Sequence, residues 1–207
     1  MTLLAFIGPR ILIPGFFTGQ RISTLSDPAD IAQTMAFSAL FICFAFTLFV
    51  DPFLSLIPGV AAWSYWYMQK DKINQDFYRY TDWAITTPLM LVALLLANAR
   101  PAIEIVALVL LDIFMIYAGY EGAKDHDLDR QKKWFLAGCI ALIPILYMLL
   151  RLKKNTTAVL LTVFLWSLYP VVWWLDEANS ISKTATSVTY SALDVAAKVG
   201  LVTLLQL

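Results

Sequence analysis

The chain predicts an all-α membrane protein, a bundle of seven transmembrane helices. Three observations carry that prediction. Of 207 residues, 60% are hydrophobic and 14% charged, whereas a water-soluble domain carries about a quarter charged residues. Seven apolar runs approach or reach the length of about 20 residues that a helix needs to cross a hydrocarbon layer ~30 Å thick. The connectors between them are short and hold charged or turn-forming residues, among them Gln69 to Asp76, Asn98 to Pro101 and Lys124 to Lys133. Barrel strands would be about half as long and would alternate apolar with polar residues.

Taken in order, the runs cover about 31–50, 53–69, 77–98, 102–123, 133–152, 156–176 and 185–206. The second is the weakest, being short and interrupted by Pro58 and Gly59. No internal repeat and no linker divides the chain, so residues 30–207 read as one seven-helix domain. Residues 1–29 fit less well: Met1 to Phe17 is apolar but holds Pro9, Arg10, Pro14 and Gly15. A secretory signal would show a charged start, an unbroken apolar middle and a small-residue cleavage site. The preferred expectation is an interfacial segment lying against one end of the bundle, with an eighth crossing as the alternative.

Fifteen basic and fifteen acidic residues cancel. A zero balance supplies no basic field for nucleic acid. Cys43 and Cys139 both lie inside apolar runs, which excludes a disulfide framework or a four-ligand zinc site, and no metal is expected. With the amino terminus outside, the inner connectors hold four lysines and arginines and the outer side nine. The positive-inside rule alone therefore places the amino terminus inside.

Charges at bilayer depth are costly and mark function by default. The last run contains Asp194 and Lys198, four apart and so on one helix face. An intrahelical ion pair is one reading. The other is a lysine buried to react: burial favours the neutral amine, which condenses with an aldehyde, and the resulting cation needs an anion nearby. The third run supplies one. Asp82 and Thr86 are four apart, with Arg79 about one turn away on the same side. Asp82 and Asp194 can thus flank one cation while Arg79 offsets the second negative charge. In the sixth run Trp166, Tyr169 and Trp173 form an aromatic stripe. Such stripes are commonly packing or an interfacial belt, as Trp174 reads. With Trp83, however, Trp166 and Trp173 can sandwich a flat apolar ligand, and Pro170 can bend the helix around it.

Three segments in this order, Arg79-Tyr-Thr-Asp-Trp-Ala-Ile-Thr-Thr-Pro, Trp166-Ser-Leu-Tyr-Pro-Val-Val-Trp and Leu193-Asp-Val-Ala-Ala-Lys-Val-Gly, resemble the microbial rhodopsins. Trp63-Ser-Tyr-Trp-Tyr-Met resembles the proteorhodopsin branch. The resemblance runs from about residue 31 to the end. It implies all-trans retinal carried by Lys198 as a protonated Schiff base, Asp82 as primary counterion and proton acceptor, and Asp194 as second counterion. Arg79 would be the gate toward the release side, Thr86 would hydrogen-bond near the acceptor, and Tyr169 would reach Asp194. Trp83, Trp166, Tyr65, Met115, Gly119 and Trp173 match positions lining the polyene or its ring. Asp112 and Thr87 match a pair linking the third and fourth helices, and Met90 matches a colour-tuning position at which an apolar residue implies green absorption. The resemblance also implies a multi-pass protein of the cell membrane, a transporter of protons and not an enzyme, assembled as a homo-oligomer (trimer or pentamer).

Departures from the family pattern bear on mechanism. The cytoplasmic proton donor would stand eleven residues after Asp82, about 16 Å along the helix; that position is Ala93. Ser64 stands where proteorhodopsins have a histidine partner for the counterion. Of two release carboxylates, Asp176 or Glu177 falls near one position and Thr186 occupies the other. His126 lies in the charged fourth-to-fifth connector, where no role is expected. The preferred function is an outward proton pump lacking its carboxylate donor. The alternatives are a light-gated cation channel, disfavoured by the absence of acids within 53–69, a photosensor signalling to a transducer, and an inward pump.

Overall fold

The computed structural model describes residues 27–207 and contains seven helices: α1 Pro28–Val50, α2 Pro52–Lys70, α3 Gln75–Ala97, α4 Ala102–Lys124, α5 Leu128–Leu150, α6 Thr156–Glu177 and α7 Lys183–Gln206. No strand occurs among the described residues. The segment expected at 1–29 lies outside the described residues as far as 26, and Pro28 and Ala29 already open α1.

Local chemistry fixes the boundaries. A single residue, Asp51, separates α1 from α2: its backbone N–H donates to Thr47 O, and its carboxylate accepts from Phe53 N and Leu54 N. One side chain therefore serves orphan groups of the second helix while its backbone closes the first. The fifth helix starts five residues before the expected 133. Asp127 accepts from the N–H groups of Asp129 and Arg130, so a capped and charged first turn replaces most of the expected loop from Lys124 to Lys133. At α6 the chain enters through Asn155 at φ 53°, a left-handed conformation that asparagine tolerates.

Among the described residues, six helices are long and apolar enough to cross a membrane. The exception is α2, the run marked weakest in the sequence, yet it continues unbroken through Pro58. Gly59 has a packing reason: a Cβ there would come within 2.8 Å of the Phe44 ring, so α1 lies closely on α2. Neighbouring helices pack in a closed ring, α7 returning to α1, with the seam between α5 and α6 the most sparsely packed. Of these six, α3 is the most enclosed, and α4 and α5 present most of their apolar surface outward. The main core joins residues of α2 through α7, and a smaller cluster of Phe37, Leu40, Tyr65 and Met68 binds α1 to α2.

Candidate functional site

At the centre of the bundle, α7 places Lys198 one turn beyond Asp194, and α3 brings Asp82 against both. Lys198 Nζ donates to Asp82 Oδ2 at 2.5 Å and to Asp194 Oδ1 at 3.1 Å. All three residues are within 1% of complete burial. A lone charge at this depth would be prohibitive, and removing one partner of a buried pair typically costs about 3–5 kcal/mol. The two carboxylates differ in their other donors. Asp194 accepts from the Tyr65 hydroxyl at 2.8 Å, the Tyr169 hydroxyl at 2.8 Å and Trp83 Nε1 at 3.1 Å. Besides the lysine, the Asp82 carboxylate accepts, among the described residues, only from Thr86 Oγ1, at 3.2 Å, and Thr86 also donates to the Asp82 backbone carbonyl.

Lys198 lies on the wall of a cavity of about 800 Å³, open mouth included, formed by α3 to α7. Its lining is aromatic and aliphatic, with Asp194 and Lys198 the charged members. Trp83, Met90, Met115, Gly119, Trp166, Tyr169 and Trp173 all face it, together with Thr87. The large rings are held by specific contacts. Trp173 Nε1 and the Tyr80 hydroxyl both donate to Gly119 O, and the Trp173 ring stacks on Phe135 at 5.3 Å. A Cβ on Gly122 would lie 2.9 Å from the Trp173 ring, so the absence of a side chain there makes room for that tryptophan.

Two expectations change, for Tyr65 and Arg79. Tyr65 is not on the cavity wall; its hydroxyl is drawn to Asp194 from the α1–α2 side. Asp112, behind the wall, makes the link between α3 and α4 that the resemblance implies, accepting from Thr87 Oγ1 at 2.7 Å. Arg79 does not bond to either central carboxylate. Its guanidinium pairs with Asp76 at 2.6 Å and lies 5.0 Å from the Tyr190 ring, because the acid three residues earlier on the same face is nearer than Asp82. The remaining departures keep their places. Ser64 donates to the Tyr78 carbonyl, away from the carboxylates. Thr186 donates to Asp176, which also pairs with Lys183, and His126 is exposed.

The sequence model of the family described as bacteriorhodopsin-like protein matches residues 31–207. The chain belongs to that family. Bacteriorhodopsin from Halobacterium salinarum is 32% identical over 197 residues, covering 85% of this chain and 71% of its own. Archaerhodopsin-3 from Halorubrum sodomense is 29% identical over 171 residues, covering 70% of this chain. The match spans 66% of that relative, just under two thirds of its length. Among solved structures, the thermophilic rhodopsin from Rubrobacter xylanophilus superposes with a TM-score of 0.78 at 27% identity, covering 86% of this chain and 94% of that one.

Membership of the rhodopsin family implies retinal bound to a lysine, and Lys198 is buried in this structure. The cavity fits such a group: the amine opens onto a space whose walls are flat rings and aliphatic chains, suited to a polyene. Several wall residues of this rhodopsin escaped the sequence reading, notably Tyr80, Phe135, Gly138, Cys139 and Tyr190. Tyr190 stands four residues before Asp194, so helical spacing alone would have placed it on the same face. Trp134 and Phe135 open the expected fifth run, but nothing in the local sequence says which neighbour they face.

Proposed function

We propose that this rhodopsin is a light-driven outward proton pump of the cell membrane whose chromophore is retinal on Lys198. The observation that carries the reading is the position of Lys198 Nζ between two carboxylates of unequal surroundings, with polar residues toward one end of the bundle and apolar residues toward the other. Retinal joined to Lys198 supplies absorption of light and a change of shape that displaces the nitrogen. Asp82 Oδ2, at 2.5 Å, is the base that takes the proton held there. Asp194 accepts hydrogen bonds from three neutral donors in addition to the lysine and so anchors the far side of the amine. Trp83, Trp166 and Trp173 confine the ligand and exclude water, while Thr87 and Asp112 hold α3 against α4 during the displacement.

The return of a proton to Nζ crosses the half of the bundle that holds Ala93, Leu94, Leu54, Ile57 and Leu201, all buried. The position eleven residues after Asp82 is Ala93 and carries no carboxylate to relay it, so the proton comes from bulk water through transient hydration. Moving one charge against 100 mV takes only about 2.3 kcal/mol, well within the energy of a visible photon. The test is illumination of intact cells expressing the protein with retinal. The medium should acidify in the light, and a protonophore should abolish the signal. Alkalinisation, or no change of pH, overturns the outward pump.

A further inference from the structure

Ser187, Ser191, Asp194 and Lys198 are spaced four, three and four apart, so α7 carries a polar stripe from the buried amine to its second turn. Ser187 Oγ accepts from Gln33 Nε2 of α1 at 2.8 Å, and Gln33 Oε1 accepts from Lys72 Nζ at 3.4 Å. Lys72 is itself paired with Asp30 at the surface. At the inner end, the Tyr65 hydroxyl donates to Asp194 and neighbours Ser191. Ser191 is 3% exposed, and beyond its contact with the Tyr65 hydroxyl its Oγ has no hydrogen-bond partner among the described residues. An unpaired buried hydroxyl costs about 1–3 kcal/mol. In a polar seam it is normally answered by an ordered water with two to four polar partners.

Resting on the pump reading above, we propose that Ser191 holds a water linking the Asp194–Tyr65 pair to Ser187 and Gln33, and that protons leave along this seam between α1, α2 and α7, emerging beside Asp30 and Lys72. The Arg79 side is less suited to the task, since that guanidinium is engaged by Asp76 and the Tyr190 ring. The step balances as a relay. Asp82 returns from acid to carboxylate by handing its proton to Asp194, its neighbour across Lys198 Nζ, which passes it to the water at Ser191; that water gives another to the Ser187 hydroxyl, whose own proton goes to bulk water at the mouth. Each relay group ends as it began, and one proton has moved to the mouth. Ser191 is thus a positioning residue acting through water.

The test is flash excitation of the retinal-loaded protein in lipid vesicles with a pH-sensitive dye on the release side. Ser191→Val should slow proton release about fivefold, the scale of one lost hydrogen bond, without moving the absorption maximum. Ser191→Thr should restore the rate, because it returns the hydroxyl to nearly the same shape. Ser187→Ala, one turn further out, should give the same slowing, so that the inference survives if the valine variant fails to take up retinal. Release at the unmodified rate in Ser191→Val or Ser187→Ala overturns the exit route alone. Absence of any light-driven release from the unmodified protein overturns the pump reading and the exit route with it.

Discussion

At the scale of single residues, the two aspartates around Lys198 are chemically alike but differently supported, and their substitution should separate two effects. In Asp82→Asn the positive charge at the lysine loses its nearest anion. That charge is then less localised, and the absorption maximum of the retinal-loaded protein should shift to the red. Proton flux should fall to the level of a dark control because no base remains at 2.5 Å. An unchanged spectrum removes Asp82 from the counterion role. In Asp194→Leu the loss is of stability: Tyr65, Trp83 and Tyr169 are left as buried donors without an acceptor, each costing about 1–3 kcal/mol. Thermal bleaching should show a drop of several degrees in Asp194→Leu and a smaller one in Asp82→Asn. These residues were legible in the sequence because four-residue spacing puts chemistry on one helix face. The partner of Arg79 was not. Asp76 and Asp82 are three residues to either side of it, and only the packed structure decides which one it meets.

At the scale of elements, caps and connectors set where helices begin, and one of them makes a pH-dependent contribution. The Asp125 carboxylate, in the α4–α5 connector, is held below the usual carboxylate range. The Asp127 backbone N–H donates to it at 3.0 Å, and Arg130 bonds and pairs with it. Because the folded form binds its proton more weakly than the unfolded form, the contribution is complete above the ordinary aspartate value of about 3.9. It is lost as pH falls through the lowered folded value. Asp125→Asn should therefore bleach at a lower temperature than the unmodified protein at neutral pH, with the gap closing below about pH 4. A gap independent of pH would show that the connector depends on shape and not on charge. The helices themselves were readable from apolar run length to within a few residues. The start of α5 was not, because Asp127 caps a turn whose charges look like a loop when counted without their hydrogen bonds.

At the scale of the whole molecule, the bundle is asymmetric about Lys198. Toward the Asp76 end lie Tyr65, Ser191, Ser187, Gln33 and Arg79; toward the Asn98 end lie Ala93, Leu94, Leu54, Ile57 and Leu201. The absence of an acid at 93 was visible in the sequence, but the surrounding apolar shell was not, since it is assembled from α2, α3 and α7 together. On the pump reading proposed above, this asymmetry predicts how the cycle ends. A proton returning to the lysine without a resident donor is drawn from bulk solution, so the last step should slow about tenfold for each unit rise in pH, following proton concentration. Ala93→Asp places a carboxyl about 16 Å along α3 from Asp82 at 1.5 Å per residue. It should accelerate that step and flatten its pH dependence, because the new group holds a proton locally and is refilled between turnovers. Flash photolysis of both proteins between pH 6 and 9 decides the matter. If the unmodified protein recovers at a pH-independent rate, or Ala93→Asp recovers no faster, the proton reaches Lys198 by a path other than the apolar half, and the polar end serves both its departure and its return.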